Sequence, residues 1–253
     1  MMKKSLFILF LVVSFIKMSA CSCHRAPLAE NYLAADVVGI VKIIKVYDEN
    51  SEQRTYKADV EFEKLYKGEK FKTLNVRGLI GNSYSGACEI NINPNETYLI
   101  LLNKYNNDYS LSLCSPKYSF NMNEKSTIEA LEKTFAYIEK NKYKFTGLEF
   151  TTCYDELQKG DKSTLSCLKN FSPKNPFAIY KVKINELSQI EKLTPITRFG
   201  NQDSKIENIL RKNMTVDIPM LINKEPQKEF FILLLYFKDN IDKKYGEVIS
   251  SEW

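Results

Sequence analysis

Six cysteines and a single histidine are the residues of this 253-residue chain best equipped for chemistry. The cysteines fall at Cys21, Cys23, Cys88, Cys114, Cys153 and Cys167, and His24 directly follows the first pair. A lipid anchor on Cys21, disulfides, a metal site and nucleophilic catalysis are the uses open to such a cluster. Cys21, Cys23, His24 and Cys88 are suitable zinc ligands by type, but their spacing fits no usual zinc pattern. A Cys–His or Ser–His pair would have to use His24, in the segment where Cys23 is expected to be bonded. Carboxylates show no clustered spacing that suggests a glycosidase or a metal dyad. The glycine-bearing stretch "GLIGNSYSGAC", ending at Cys88, lacks the lysine and the following helix of a phosphate-cradling loop. These readings point to a protein that is not an enzyme and carries no cofactor or metal of its own.

The leader decides how the cysteines are read. Lys3 and Lys4 precede an almost wholly apolar run over 6–16, and Met18-Ser19-Ala20 offers small residues before a cut. That is the pattern of a secretory signal peptide over residues 1–20; a membrane span needs a longer run, and no transmembrane segment is expected in the mature chain. Export, whether periplasmic, secreted or outer-membrane-associated, brings an oxidising compartment in which six cysteines read as a disulfide framework. The rival is a lipid, because Met18-Ser19-Ala20-Cys21 loosely matches a bacterial lipobox. Lipidation would leave five cysteines and an odd thiol, so parity favours disulfides. Cys21 and Cys23, two apart on an extended segment, point to one face and are poorly placed to bond each other. Cys88 and Cys114 are the evident partners. Cys153 and Cys167 bracket a polar loop, and bridging it would restrict the unfolded chain by ~3 kcal/mol.

Hydrophobic residues make up 44% and charged residues 26%, ordinary globular values, and the length suits two domains with a boundary near 141–151. The leader carries Lys3, Lys4 and Lys17 and no acid, so the formal net charge of +5 falls to +2 once it is removed. That balance argues against a nucleic-acid partner. The 15 Tyr and 15 Phe read mostly as core rings at strand spacing. Sequons at Asn95, Asn170 and Asn213 are read as incidental in a chain of bacterial-looking composition.

From Ala35 to Cys114 the pattern is strand after strand. "DVVGIVKIIKV" is apolar on both faces, and "TYKADVEFEKLYKG" alternates, with Tyr56, Ala58, Val60 and Phe62 on one side. "FKTLNVRG", "TYLILLN" and "YSLSLC" complete five strands, which are expected to close into a small barrel. A helix follows, with Ser126 and Glu129 as a capping box and Ile128, Leu131, Phe135 and Ile138 as an apolar stripe. The fold class expected is thus a five-stranded barrel with a flanking helix, then a small α+β domain. In that second part "PFAIYKVKINEL" is a strand, "DSKIENILRKN" a helix that Asp203 caps, and "EFFILLLYFK" a buried strand.

The order Cys21-Ser22-Cys23, "AADVVGIVKI", "LYKG", "SGAC", "TYLILL" and "LSLC" resembles the netrin-like domain of the tissue inhibitors of metalloproteinases, over residues 21–142. The resemblance implies a closed oligonucleotide/oligosaccharide-binding-type barrel, with Cys21 paired to Cys88 and Cys23 to Cys114. It also implies that the freed amine and carbonyl of Cys21 chelate the zinc of a partner protease while Ser22 enters its specificity pocket. Glu89 and Glu96 stand where that family commonly has glycine. Residues 146–253 resemble, more faintly, a TonB carboxyl-terminal domain. The expectation is an exported, disulfide-stabilised binding protein made of a signal peptide (1–20), a netrin-like domain (21–145) and an α+β domain (146–253). Its partner is expected to be a protein, in the sharpest form a zinc metalloprotease. The alternative is a lipid-anchored or periplasmic envelope protein whose two domains bind other envelope proteins.

Overall fold

The computed structural model describes residues 23, 26–81, 88–119, 125–155, 165, 168, 171–218, 228–237 and 247–250. Cys21, Ser22, His24, Arg25 and Cys167 lie outside them.

The first half opens with a short helix, α1 (Leu28–Ala34), started by Pro27, whose missing N–H would have no partner at a helix start. Seven strands follow: β1 (Val37–Asn50), β2 (Thr55–Lys67), β3 (Thr73–Arg77), β4 (Thr97–Leu102), β5 (Lys104–Tyr105), β6 (Asp108–Leu111) and β7 (Lys117–Ser119). They form one sheet in the order β5-β6-β3-β2-β1-β4-β7, antiparallel except for β3 beside β6. The expected closed barrel is therefore replaced by an open sheet. Closure would need β6 to pair with β4, but the chain reverses after β6 and β7 takes the remaining edge of β4, Tyr98 opposite Ser119 and Ile100 opposite Lys117.

The sheet still curls, because Ile100 and Leu102 of β4 meet Leu111 of β6 in one core with Val37, Val41, Ile43, Ala58 and Leu74. Register shifts along the β1–β2 pair supply local bending. The "LYKG" piece ends at Gly68, whose φ is +78° and where a Cβ would lie 2.1 Å from the Asp36 carbonyl oxygen; only glycine fits.

Helix α2 (Lys125–Asn141) continues into a 3₁₀ turn, Lys142–Phe145. The expected stripe of Ile128, Leu131, Phe135 and Ile138 is buried. Ser126, expected as the N-cap, is the second residue of the helix as described, which begins at Lys125.

The second half contributes β8 (Phe150–Thr151), β9 (Cys153–Asp155), β10 (Phe177–Ile184), β11 (Ile190–Thr197), α3 (Asp203–Asn213), β12 (Met214–Val216), β13 (Glu229–Phe237) and β14 (Glu247–Ser250). Its main sheet runs β11-β10-β13-β14, with β8 parallel to β13, and β9 pairs with β12 apart from it. Helix α3 lies where the sequence places it, with Ile206 and Leu210 buried. Gln202, at φ 51°, occupies the N-cap position instead of Asp203, which is the first helical residue and accepts the Phe199 N–H at 2.9 Å.

Strand alternation shows how the halves join. On β13, Phe231, Leu233 and Leu235 face one core and Phe230, Ile232 and Leu234 another. On β1 and β4, Val38, Ile40, Leu99 and Leu101 turn away from the curled interior into the same core as Phe231. Helices α1 and α2 fill that layer, so the sheets of both halves bury one face against them. The expected boundary near 141–151 runs through this shared core, which contains both Phe145 and Phe150. Among the described residues no helix is long and apolar enough to cross a membrane.

Candidate functional site

Cys23, Cys88 and Cys114 converge on one rim of the curled sheet. Cys23 and Cys114 are joined by a disulfide with sulfurs 2.06 Å apart, as the resemblance implies. Cys114 lies in the reversal between β6 and β7, which is organised from within. Ser112 N–H donates to Ser115 Oγ at 2.9 Å, and the Lys117 ammonium donates to the carbonyls of Ser112 at 2.8 Å and Leu113 at 3.1 Å. A cation gathering two carbonyl oxygens makes charge-assisted bonds, the stronger kind.

Cys88 is also a half-cystine, and its carbonyl accepts the Leu113 N–H at 3.0 Å. It adopts φ 59°, a left-handed conformation that a β-carbon disfavours. The backbone bond to Leu113 and the disulfide hold it there. Three half-cystines thus sit together at the place where the amino-terminal arm meets the sheet.

Two further ties fix the segment that carries Cys88. The Arg54 guanidinium, in the β1–β2 turn, grips the Glu89 carboxylate through Nε and Nη2, a two-pronged pair with the Glu89 side chain only 8% exposed. Tyr56 Oη donates to the Ile90 carbonyl at 3.1 Å and accepts the Ile92 N–H at 3.0 Å. Burial raises the Tyr56 phenol, which keeps it a neutral donor at ordinary pH.

Glu96 closes the turn into β4. It accepts the Asn93 backbone N–H at 2.7 Å, the Asn93 side-chain amide at 2.9 Å and the Tyr98 hydroxyl at 2.6 Å. Burial works against its ionised form, yet these hydrogen bonds outweigh burial and hold its carboxyl below the usual range. Glu89 and Glu96 therefore both do structural work. Sequence reading missed Glu89 because Arg54 is a distant partner in the chain; the Asn93–Glu96 spacing was a local signal that could have been read.

Helix α1, directly after the arm, is clamped at its carboxyl end. Lys67 Nζ donates to the carbonyls of Tyr32 at 2.9 Å and Leu33 at 3.0 Å. The Tyr32 ring stacks on Phe135 with centroids 4.6 Å apart, and burial, with help from Glu139, pushes its phenol up to about 12.

Of the other cysteine pair, Cys153 is among the described residues. Cys153 is buried in the second core, packed with Leu165 and Leu168, while its neighbour Tyr154 is exposed. The alternation of β9 aims Cys153 inward, and the expected partner Cys167 lies outside the described residues. Among the described residues no three His, Cys, Asp or Glu side chains gather as a metal site.

The arrangement ties Cys23 to the rim that carries Cys88 and Cys114. Compared with known families and curated proteins, the chain matches no family model and no curated relative.

Proposed function

We propose that this chain is an exported, disulfide-stapled, non-enzymatic binding protein that acts through its mature amino terminus, with Cys21 bonded to Cys88 and Ser22 presented to a zinc metalloprotease. The observation that carries the reading is the Cys23–Cys114 disulfide with the half-cystine Cys88 one backbone hydrogen bond from the same loop. Cys23 and Cys114 satisfy each other, and the resemblance pairs the remaining half-cystine of this rim, Cys88, with Cys21. Cys21 is two residues from Cys23 and therefore tethered to this rim. A disulfide at Cys21 is incompatible with a lipid thioether there.

The chemistry suits a metal in another protein. An uncharged α-amine and a carbonyl oxygen fill open positions of a catalytic zinc, and an α-amino group with pKa ~8 is partly neutral at pH 7. An arm fixed before binding loses little freedom when it docks.

Mass spectrometry of the exported protein tests this reading. The expected result is a chain beginning at Cys21 with an unmodified amine and a Cys21–Cys88 cross-linked peptide. A diacylglyceryl group on Cys21 would overturn the arm mechanism and favour a lipid-anchored envelope protein.

A further inference from the structure

Glu30 and Asn31, neighbours on α1, hold opposite parts of the molecule. The Asn31 side-chain amide donates to the Ala26 carbonyl at 2.8 Å and its backbone N–H to the Pro27 carbonyl at 2.9 Å, which fixes the base of the amino-terminal arm. The Glu30 carboxylate accepts the backbone N–H of Phe150, in the second half. Phe150 begins β8, which is laid parallel to β13 opposite Phe231, and the Phe231 N–H donates to the Glu149 carbonyl at 2.9 Å. The joint therefore reaches the central strand of the second sheet within two residues.

We infer that the second half of the chain positions the amino-terminal arm, with Glu30 as the positioning residue and α1 as the lever between them. Leu28, Ala29 and Tyr32 lie in the core that both sheets share, so α1 cannot shift without disturbing the seat that β13 and α2 provide. Lys67 holds the far end of α1 from β2. The amino-terminal end has Glu30 alone to bind it to the second half by hydrogen bond, among the described contacts. Burial raises the Glu30 carboxyl, the Phe150 N–H lowers it, and the nearby Glu149 carboxylate raises it further. Glu149 thus works against the joint that the Phe150 N–H makes. The consequence for protease binding rests on the function proposed above; the joint itself does not.

The test uses the full mature protein and its Glu30→Ala, Glu30→Gln, Glu30→Asp and Glu149→Gln variants. Amide hydrogen exchange of α1 and the rate at which a small thiol reduces the Cys23–Cys114 disulfide report on the arm. Loss of a bond to a buried charged acceptor should speed α1 exchange about 10- to 100-fold in Glu30→Ala, with β1 and β2 unchanged. Reduction of the disulfide should quicken in the same variant. Glu30→Gln keeps an acceptor oxygen and should stay within ~2-fold of the parent, and Glu149→Gln should slow α1 exchange. Unchanged α1 exchange in Glu30→Ala, or Glu30→Gln as fast as Glu30→Ala, would overturn the inference. Should Glu30→Ala fail to fold, Glu30→Asp decides, since a shortened carboxylate that leaves α1 exchange unchanged overturns it equally. If the joint behaves as stated while the parent protein inhibits no zinc endopeptidase, the positioning role stands and the metalloprotease reading falls.

Discussion

Replacing Phe135 by alanine is expected to destabilise the entire chain by about 3–5 kcal/mol and to leave both sheets melting in one transition. Phe135 is 1% exposed, stacked on Tyr32 at 4.6 Å and tilted against Tyr66 at 5.2 Å. Its core holds Leu99 and Leu101 from the first sheet together with Phe177, Ile179 and Leu233 from the second. A cavity at this point removes contacts from both sides of α2, and the close packing around it limits how far the walls can relax. Urea denaturation followed by circular dichroism, alongside hydrogen exchange resolved to β1 and β13, reads the result. The expected outcome is a lower midpoint with an unchanged slope and the same loss of protection in both strands. Two separate transitions, with β13 keeping its protection, would show that the halves are independent folding units.

The second large effect belongs to the staple. The Cys23–Cys114 disulfide closes a loop with a sequence separation of 91 residues, spanning β1 through β6. For a loop of that size the chain-entropy model gives about 4–5 kcal/mol, and measured losses of native disulfides run about 2–5 kcal/mol. The Cys23→Ser, Cys114→Ser double variant should therefore lose a stability of that order in urea, and the parent in reductant should approach it. A midpoint equal to that of the oxidised parent would mean that the arm is held by α1 and the shared core alone.

Much of the architecture was legible, for definite reasons. Tyr56, Ala58, Val60 and Phe62 alternate with polar residues, so the inward face of β2 could be read directly. β13 lacks any polar phase in its middle, which required cover on both sides. The stripe on α2 was equally plain, but a stripe reveals that a face is buried and not what buries it. Thr127, Ala130, Thr134 and Asn141 are buried as well, which widens the contact from a stripe to eight of the 17 residues of a helix between two sheets. Their small or polar character hid that second contact.

Closure was misjudged for a related reason. β7 is three residues long, too short for a periodic signal, and its pairing with β4 depends on the reversal that Lys117 and Ser115 stabilise. In the candidate site, the cysteine pairing of Cys23 with Cys114 was anticipated through resemblance, whereas counting alone left the partners open. Parity also suggests a bridge at Cys153; the alternation of β9 turns that residue into the core, and its expected partner Cys167 lies outside the described residues. Glu89 and Glu96 looked like departures from a glycine pattern until Arg54, Asn93 and Tyr98 supplied their partners.

Inhibition of zinc endopeptidases tests the proposed function most directly. The mature protein beginning at Cys21 is compared, across a panel of such enzymes, with a version carrying one extra residue before Cys21. The extension blocks the α-amine while leaving the fold and the disulfides in place. Inhibition by the first protein and its loss in the second is the expected result. Absence of inhibition across the panel, or inhibition that survives the added residue, would contradict a terminus that works by binding a partner's metal.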